Sequence, residues 1–127
     1  MKKRRAGREP APLTQSALEA MCLRWQMILR LADWDVKVRF VRHWDLGADR
    51  GGEVSWTLNT KTAFITILDP RDFSTDFKWT QDVEQVLVHE LVHLHLAPFD
   101  ETKDKTDMLM EQAVDLIACA LVDRDRA

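Results

Sequence analysis

The chain predicts an α+β fold, a small three-stranded antiparallel sheet packed on three helices. Three observations carry this. Apolar residues recur at helical spacing in three stretches, near 16–32, 80–98 and 102–122. Between the first two stretches lie three short runs rich in β-branched and aromatic residues. The connection between the last two runs is short and polar, which favours an antiparallel meander. At 127 residues, 46% hydrophobic and 31% charged, the chain has the size and composition of one globular domain.

Residues 1–12 end in Pro10-Ala11-Pro12 and read as a flexible basic leader, with a single domain over 13–127. The first helix opens at Ser16 and Glu19, which have capping-box spacing. Leu18, Met21, Cys22, Trp25, Ile28, Leu29 and Ala32 give it one apolar face. Asp33-Trp34-Asp35 breaks the pattern. Val36, Val38 and Phe40 then alternate with Lys37 and Arg39 as a first strand. A polar segment with Gly47, Gly51 and Gly52 leads to the second strand, Val54-Ser55-Trp56-Thr57-Leu58. A turn over 59–61 leads to the third strand, Thr62 to Leu68, which Asp69-Pro70 ends. A loop through Phe73 and Trp79 precedes a helix from about Thr80 to Pro98, apolar almost all the way round and so predicted to be buried. The last helix runs from about Thr102 to Val122.

Charge and cysteine content narrow the function classes. Residues 1–12 carry five Lys/Arg against one Glu, a balance of +4; the remaining 115 carry 13 basic and 20 acidic side chains, a balance of −7. The basic arm is a solvated tail or a non-specific contact for nucleic acid or another anionic surface. The acidic body argues against nucleic acid as the main ligand. No apolar run has the length of a membrane span, and no hydrophobic stretch follows the basic start to make a secretory signal. A cytoplasmic protein with no membrane partner is expected. Cys22 and Cys119 sit among apolar residues and read as buried free thiols.

The chemistry concentrates in His89-Glu90-Leu91-Val92-His93. Residues four apart share a helix face, so His89 and His93 can aim their imidazoles at one tetrahedral metal. Glu90 lies about 100° around the helix, where a general base for a metal-activated water belongs. Two imidazoles and a carboxylate on a buried helix need a partner, and Zn²⁺ supplies one. A catalytic zinc takes a third protein ligand. His95 points roughly 140° away from the paired histidines, and His43 is far upstream. Glu111 is the better choice, because a final helix antiparallel to the motif helix would return it to them. Asp107, one turn earlier, is the runner-up. Asp115, one turn later, is placed to accept the second N–H of a ligating imidazole and orient it.

His89-Glu90-Leu91-Val92-His93 followed by Glu111-Gln112-Ala113-Val114-Asp115 resembles the H-E-x-x-H plus E-x-x-x-D signature of gluzincin metallopeptidases. Length and element order resemble the minimal-scaffold mini-gluzincins and small metallopeptidase-like proteins of phage and prophage genomes. The resemblance covers about residues 33–122. It implies a zincin-like fold with a three-stranded sheet over the motif helix, zinc as cofactor, and peptide bound along a sheet edge. The chain departs from the family in one respect: it has no Tyr to stabilise an oxyanion. His43 and Arg71 are the substitutes to consider. The metzincin branch is disfavoured, since it needs Gly where Leu96 stands.

The expected function is zinc-dependent hydrolysis of peptide bonds. His89, His93 and Glu111 hold the metal, Glu90 is the general base, and an extended polypeptide adds to the sheet along Thr62–Leu68. The alternatives are a zinc-stabilised, inactive binding or regulatory module, and a peptidase-like protein brought to nucleic acid by the basic arm.

Overall fold

The computed structural model describes residues 13–47, 51–73, 82–99 and 108–127. The expected leader over 1–12 lies outside them, as do Trp79, Asp107 and the expected helix starts at Thr80 and Thr102. The elements are helix α1 (Gln15–Ile28), strands β1 (Asp35–Val41), β2 (Gly52–Thr57) and β3 (Thr62–Leu68), and helices α2 (Val83–Leu96) and α3 (Met108–Asp125). The class is α+β, as expected.

The first cap differs from the expectation. Thr14, not Ser16, is the N-cap of α1, and its hydroxyl accepts from the Ala17 N–H at 3.0 Å. Ser16 instead lies within the first turn. Leu18, Cys22, Trp25 and Gln26 form the buried face. Past the C-cap Leu29, Arg30 takes φ 62°, and the Leu31 N–H returns to the Gln26 carbonyl at 2.7 Å. Gln26 is buried without an orphan amide, since its Nε2 donates to the carbonyls of Leu31 and Trp34.

The sheet is mixed, which corrects the antiparallel expectation. Strand order is β1-β3-β2. The turn between β2 and β3 makes an antiparallel pair as expected, with Val54 opposite Ile65. β1 runs parallel to β3, with Val38 opposite Ile65. Short connections enforce antiparallel neighbours, but the link after β1 is long and contains the 3₁₀ turn His43–Asp45. It carries the chain across to the far side, and β3 fills the gap. Both edges of Thr62–Leu68 are thus paired, so the strand expected to receive an added peptide is the central one.

One face of the sheet meets the helices. Val38, Val54, Ala63, Ile65 and Ile67 are buried there against Leu18, Trp25, Leu87, Val88, Leu91 and Leu94. Each of the Val, Leu and Ile side chains contributes about 1.5–3 kcal/mol when fully buried. A small second cluster, Val41, Leu46 and Leu68, closes the ends of β1 and β3. α1 packs on β1, α2 on β2 and β3, and α3 on α2. Asp82 caps α2 by accepting from the Gln85 N–H. The Arg126 guanidinium, at the end of α3, holds Asp82 at 2.7 Å and Glu84 at 3.0 Å.

Helix α3 is less buried than its composition suggests. Val114, Ala118 and Val122 face α2, while Met108, Leu109, Leu116 and Ile117 are exposed. Cys22 and Cys119 are free thiols; Cys22 is buried and Cys119 half-buried. No helix among the described residues is long and apolar enough to cross a membrane.

Candidate metal centre

Burial of α2 sets the rotation of the motif. Val83, Leu87, Val88, Leu91, Val92 and Leu94 are all in the core. This turns His89 and His93 toward α3, one helical turn apart, with ring centroids 5.1 Å from each other. α3 then delivers Glu111 from its first turn. One carboxylate spans both imidazoles: Glu111 Oε2 is 3.0 Å from His89 Nε2, and Oε1 is 2.8 Å from His93 Nε2. Asp115, a turn further on, places Oδ1 3.3 Å from His89 Nδ1. The expected antiparallel return of α3 is what the chain builds.

Electrostatics reflect the closeness. Burial alone would raise the Glu111 carboxyl, but hydrogen bonds from His89 and His93, with the charges of both rings, bring it down to about 2. Burial alone would lower His89. The hydrogen bond to Glu111, the charges of Glu90 and Glu111 and the bond to Asp115 outweigh it, and the pKa is raised.

The donor set fits a metal ion. His89, His93 and Glu111 each offer one ligand atom, and these atoms lie within 4.8 Å of one another. Two imidazole nitrogens and a carboxylate oxygen are a catalytic zinc donor set in kind and number. Ligands about 2.0–2.2 Å from a tetrahedral ion sit roughly 3.4 Å apart. The observed His–Glu separations are hydrogen-bonding distances, so the carboxylate would retreat by about half an ångström to admit the ion. The Glu111 side chain is 41% exposed against 15% and 11% for the histidines, so the cluster opens to solvent on its side.

Glu90 is 7% exposed, and its charge is close enough to help raise the His89 pKa. Its Cγ lies close to Gly52, the first residue of β2. That approach was not anticipated; its sequence signal is a glycine at an inward strand position, which marks close contact with another backbone or side chain.

The remaining candidates are engaged elsewhere. His95 Nε2 donates to the Leu29 carbonyl at 2.7 Å, at the end of α1. His43 Nδ1 is 3.3 Å from Asp72 Oδ1, and the Arg71 guanidinium makes two bonds to Asp69. Asp107, the runner-up ligand, is outside the described residues. Comparisons with protein-family models, curated proteins and solved structures find no match for this chain.

Proposed function

We propose that this protein is a zinc-dependent peptidase. The observation that carries the reading is the convergence of His89, His93 and Glu111, with Glu90 buried and near enough for its charge to act on His89. His89, His93 and Glu111 would hold the zinc, and Asp115 would orient His89 through Nδ1. When bound, zinc supplies a Lewis acid that polarises a carbonyl and brings the pKa of water towards about 7. Glu90 takes the proton from the attacking water and passes it to the leaving amine. At 7% exposure, Glu90 is largely shielded from bulk water. The solvent-open side at Glu111 admits the polypeptide.

The deciding experiment is cleavage of a broad peptide library by wild type and Glu90→Gln, with and without chelator. Wild type cleaves, chelator stops it, and Glu90→Gln keeps zinc but loses at least about 10²-fold in turnover. Chelator-sensitive cleavage that survives in Glu90→Gln contradicts the mechanism.

A second reading is a zinc-stabilised binding module without turnover. It is favoured by the lack of Tyr and by the commitment of His43 and Arg71 to Asp72 and Asp69. It predicts zinc uptake and no cleavage by either protein.

A further inference from the structure

Gly52 opens β2 on the face that meets the helices, in phase with Val54 and Trp56. A Cβ built there would stand 2.6 Å from Val86 Cγ1, 3.1 Å from the Thr66 carbonyl oxygen and 3.4 Å from Glu90 Cγ. The first distance is far inside van der Waals contact. Val86 and Glu90 are one turn apart on the same face of α2. The helix therefore leans on bare main chain at the very turn that carries the carboxylate.

The main chain on the other side is not free to yield. Gly52 pairs with Ile67 of the central strand, and the Leu68 N–H donates to the Gly51 carbonyl at 2.8 Å. Val86 is branched at Cβ, so it is stiff about χ1 and does not swing aside easily. An added methyl at 52 would clash with Val86 and crowd the Thr66 carbonyl oxygen, while only touching Glu90 Cγ. Relieving the Val86 clash would move α2 relative to β2 and carry Glu90 with it.

We propose that Gly52 is a positioning residue for Glu90: the side chain it lacks leaves β2 backbone as the wall that sets where the carboxylate lies. The inference rests on the reading of Glu90 as general base. Displacing a reacting group by about 1 Å can lower turnover by as much as ~10²-fold. His89 and His93 meet Glu111 of α3, and neither they nor Glu111 supply any of the three atoms nearest to a Cβ built at Gly52.

The test compares wild type, Gly52→Ala and Gly52→Ala/Val86→Ala as full-length, zinc-loaded proteins. The second substitution removes the methyl nearest to the new Cβ. Expected results are wild-type zinc affinity in all three, kcat lowered at least ~10-fold in Gly52→Ala with KM within ~3-fold, and recovery of most of kcat in the double variant. A general structural defect would instead lower zinc affinity and kcat together. A second readout does not need turnover: nuclear magnetic resonance of protein carrying labelled glutamate. The Glu90 side-chain resonances shift in Gly52→Ala and return toward wild type in the double variant. Unchanged Glu90 resonances in Gly52→Ala, or a shift that the double variant does not reverse, overturn the proposal. Absence of zinc uptake or cleavage in wild type overturns the functional reading instead, and the Glu90 resonances still decide the role of Gly52.

Discussion

Helices α2 and α3 both supply the metal cluster, yet they are built on opposite plans. α2 is apolar on nearly every side, and its neighbours in the core leave it one orientation. α3 buries only the narrow stripe Val114, Ala118 and Val122; on its other side Leu109 is 77% and Leu116 71% exposed. Hydrophobic burial therefore fixes the rotation of α2 firmly and that of α3 weakly. Polar contacts take over on α3: Glu111 on both imidazoles, Asp115 on His89, and Arg126 on Asp82 and Glu84. Half of the site is set by the core and half is assembled by docking. A zinc ion bridging the two halves would staple α3 to α2, so metal binding and the docking of α3 should be coupled.

Removing one donor from each half should have the largest effect on the metal. His93→Ala should abolish the zinc-dependent rise in melting temperature, read by calorimetry with and without added zinc. Glu111→Ala should lose more affinity than the roughly 10- to 100-fold expected for a group that only orients a ligand. Asp107→Ala, at the alternative ligand position, should lose far less. A competition titration with a chromogenic chelator ranks them, and equal losses at 107 and 111 would contradict the assignment.

Asp115→Asn comes next. It keeps the shape of the side chain while removing the charge facing His89 Nδ1, so zinc affinity in the same titration should fall by about 10- to 100-fold. A loss as large as that of Glu111→Ala would make Asp115 a ligand.

The pH dependence of the chelated protein has two limbs of opposite slope. Glu111 is depressed to about 2 from an ordinary 4.5, so its contribution is present above 4.5 and lost as pH falls toward 2. His89 is raised above its ordinary 6.5, so its contribution is full below 6.5 and lost as pH rises through the raised value. The chelated protein should melt highest between these two ordinary values. Zinc requires neutral imidazoles, so the stabilisation it adds should grow between about pH 5 and about pH 8. Thermal melts across pH with and without zinc check this, and a zinc increment that shrinks with pH would contradict it.

How far the site could be read beforehand follows the same division. α2 was legible because an apolar helix with two histidines four apart has only one economical arrangement. Glu111 was legible because an antiparallel return places it opposite them. Thr62 to Leu68 was correctly bounded, since turn residues stand at both ends. The parallel pairing of β1 with β3 was not legible, because strand order depends on where the link after β1 crosses, and alternation along a strand carries no such information. Nor was the buried face of α3, since Leu116 and Ile117 obey helical spacing as well as Val114 and Ala118 do. Gly52 left only a weak trace, a glycine at an inward strand position, and that marks a close approach without saying which side chain makes it.

The smallest effect separates the two faces of α3. Val114→Ala removes buried methyls against α2 and should cost about 2 kcal/mol in a denaturant titration. Leu116→Ser, on the exposed face, should stay within about 0.5 kcal/mol. A larger loss at Leu116 than at Val114 would mean that α3 docks in another rotation.

The most direct test of the central claim is the zinc content of wild type and Glu111→Ala, measured by elemental analysis after equal exposure to zinc and exhaustive dialysis. The account predicts about one zinc per chain in wild type, as for one three-ligand site, and essentially none in Glu111→Ala. Wild type that takes up no zinc, or Glu111→Ala that retains it in full, would contradict the claim that α2 and α3 close one metal site.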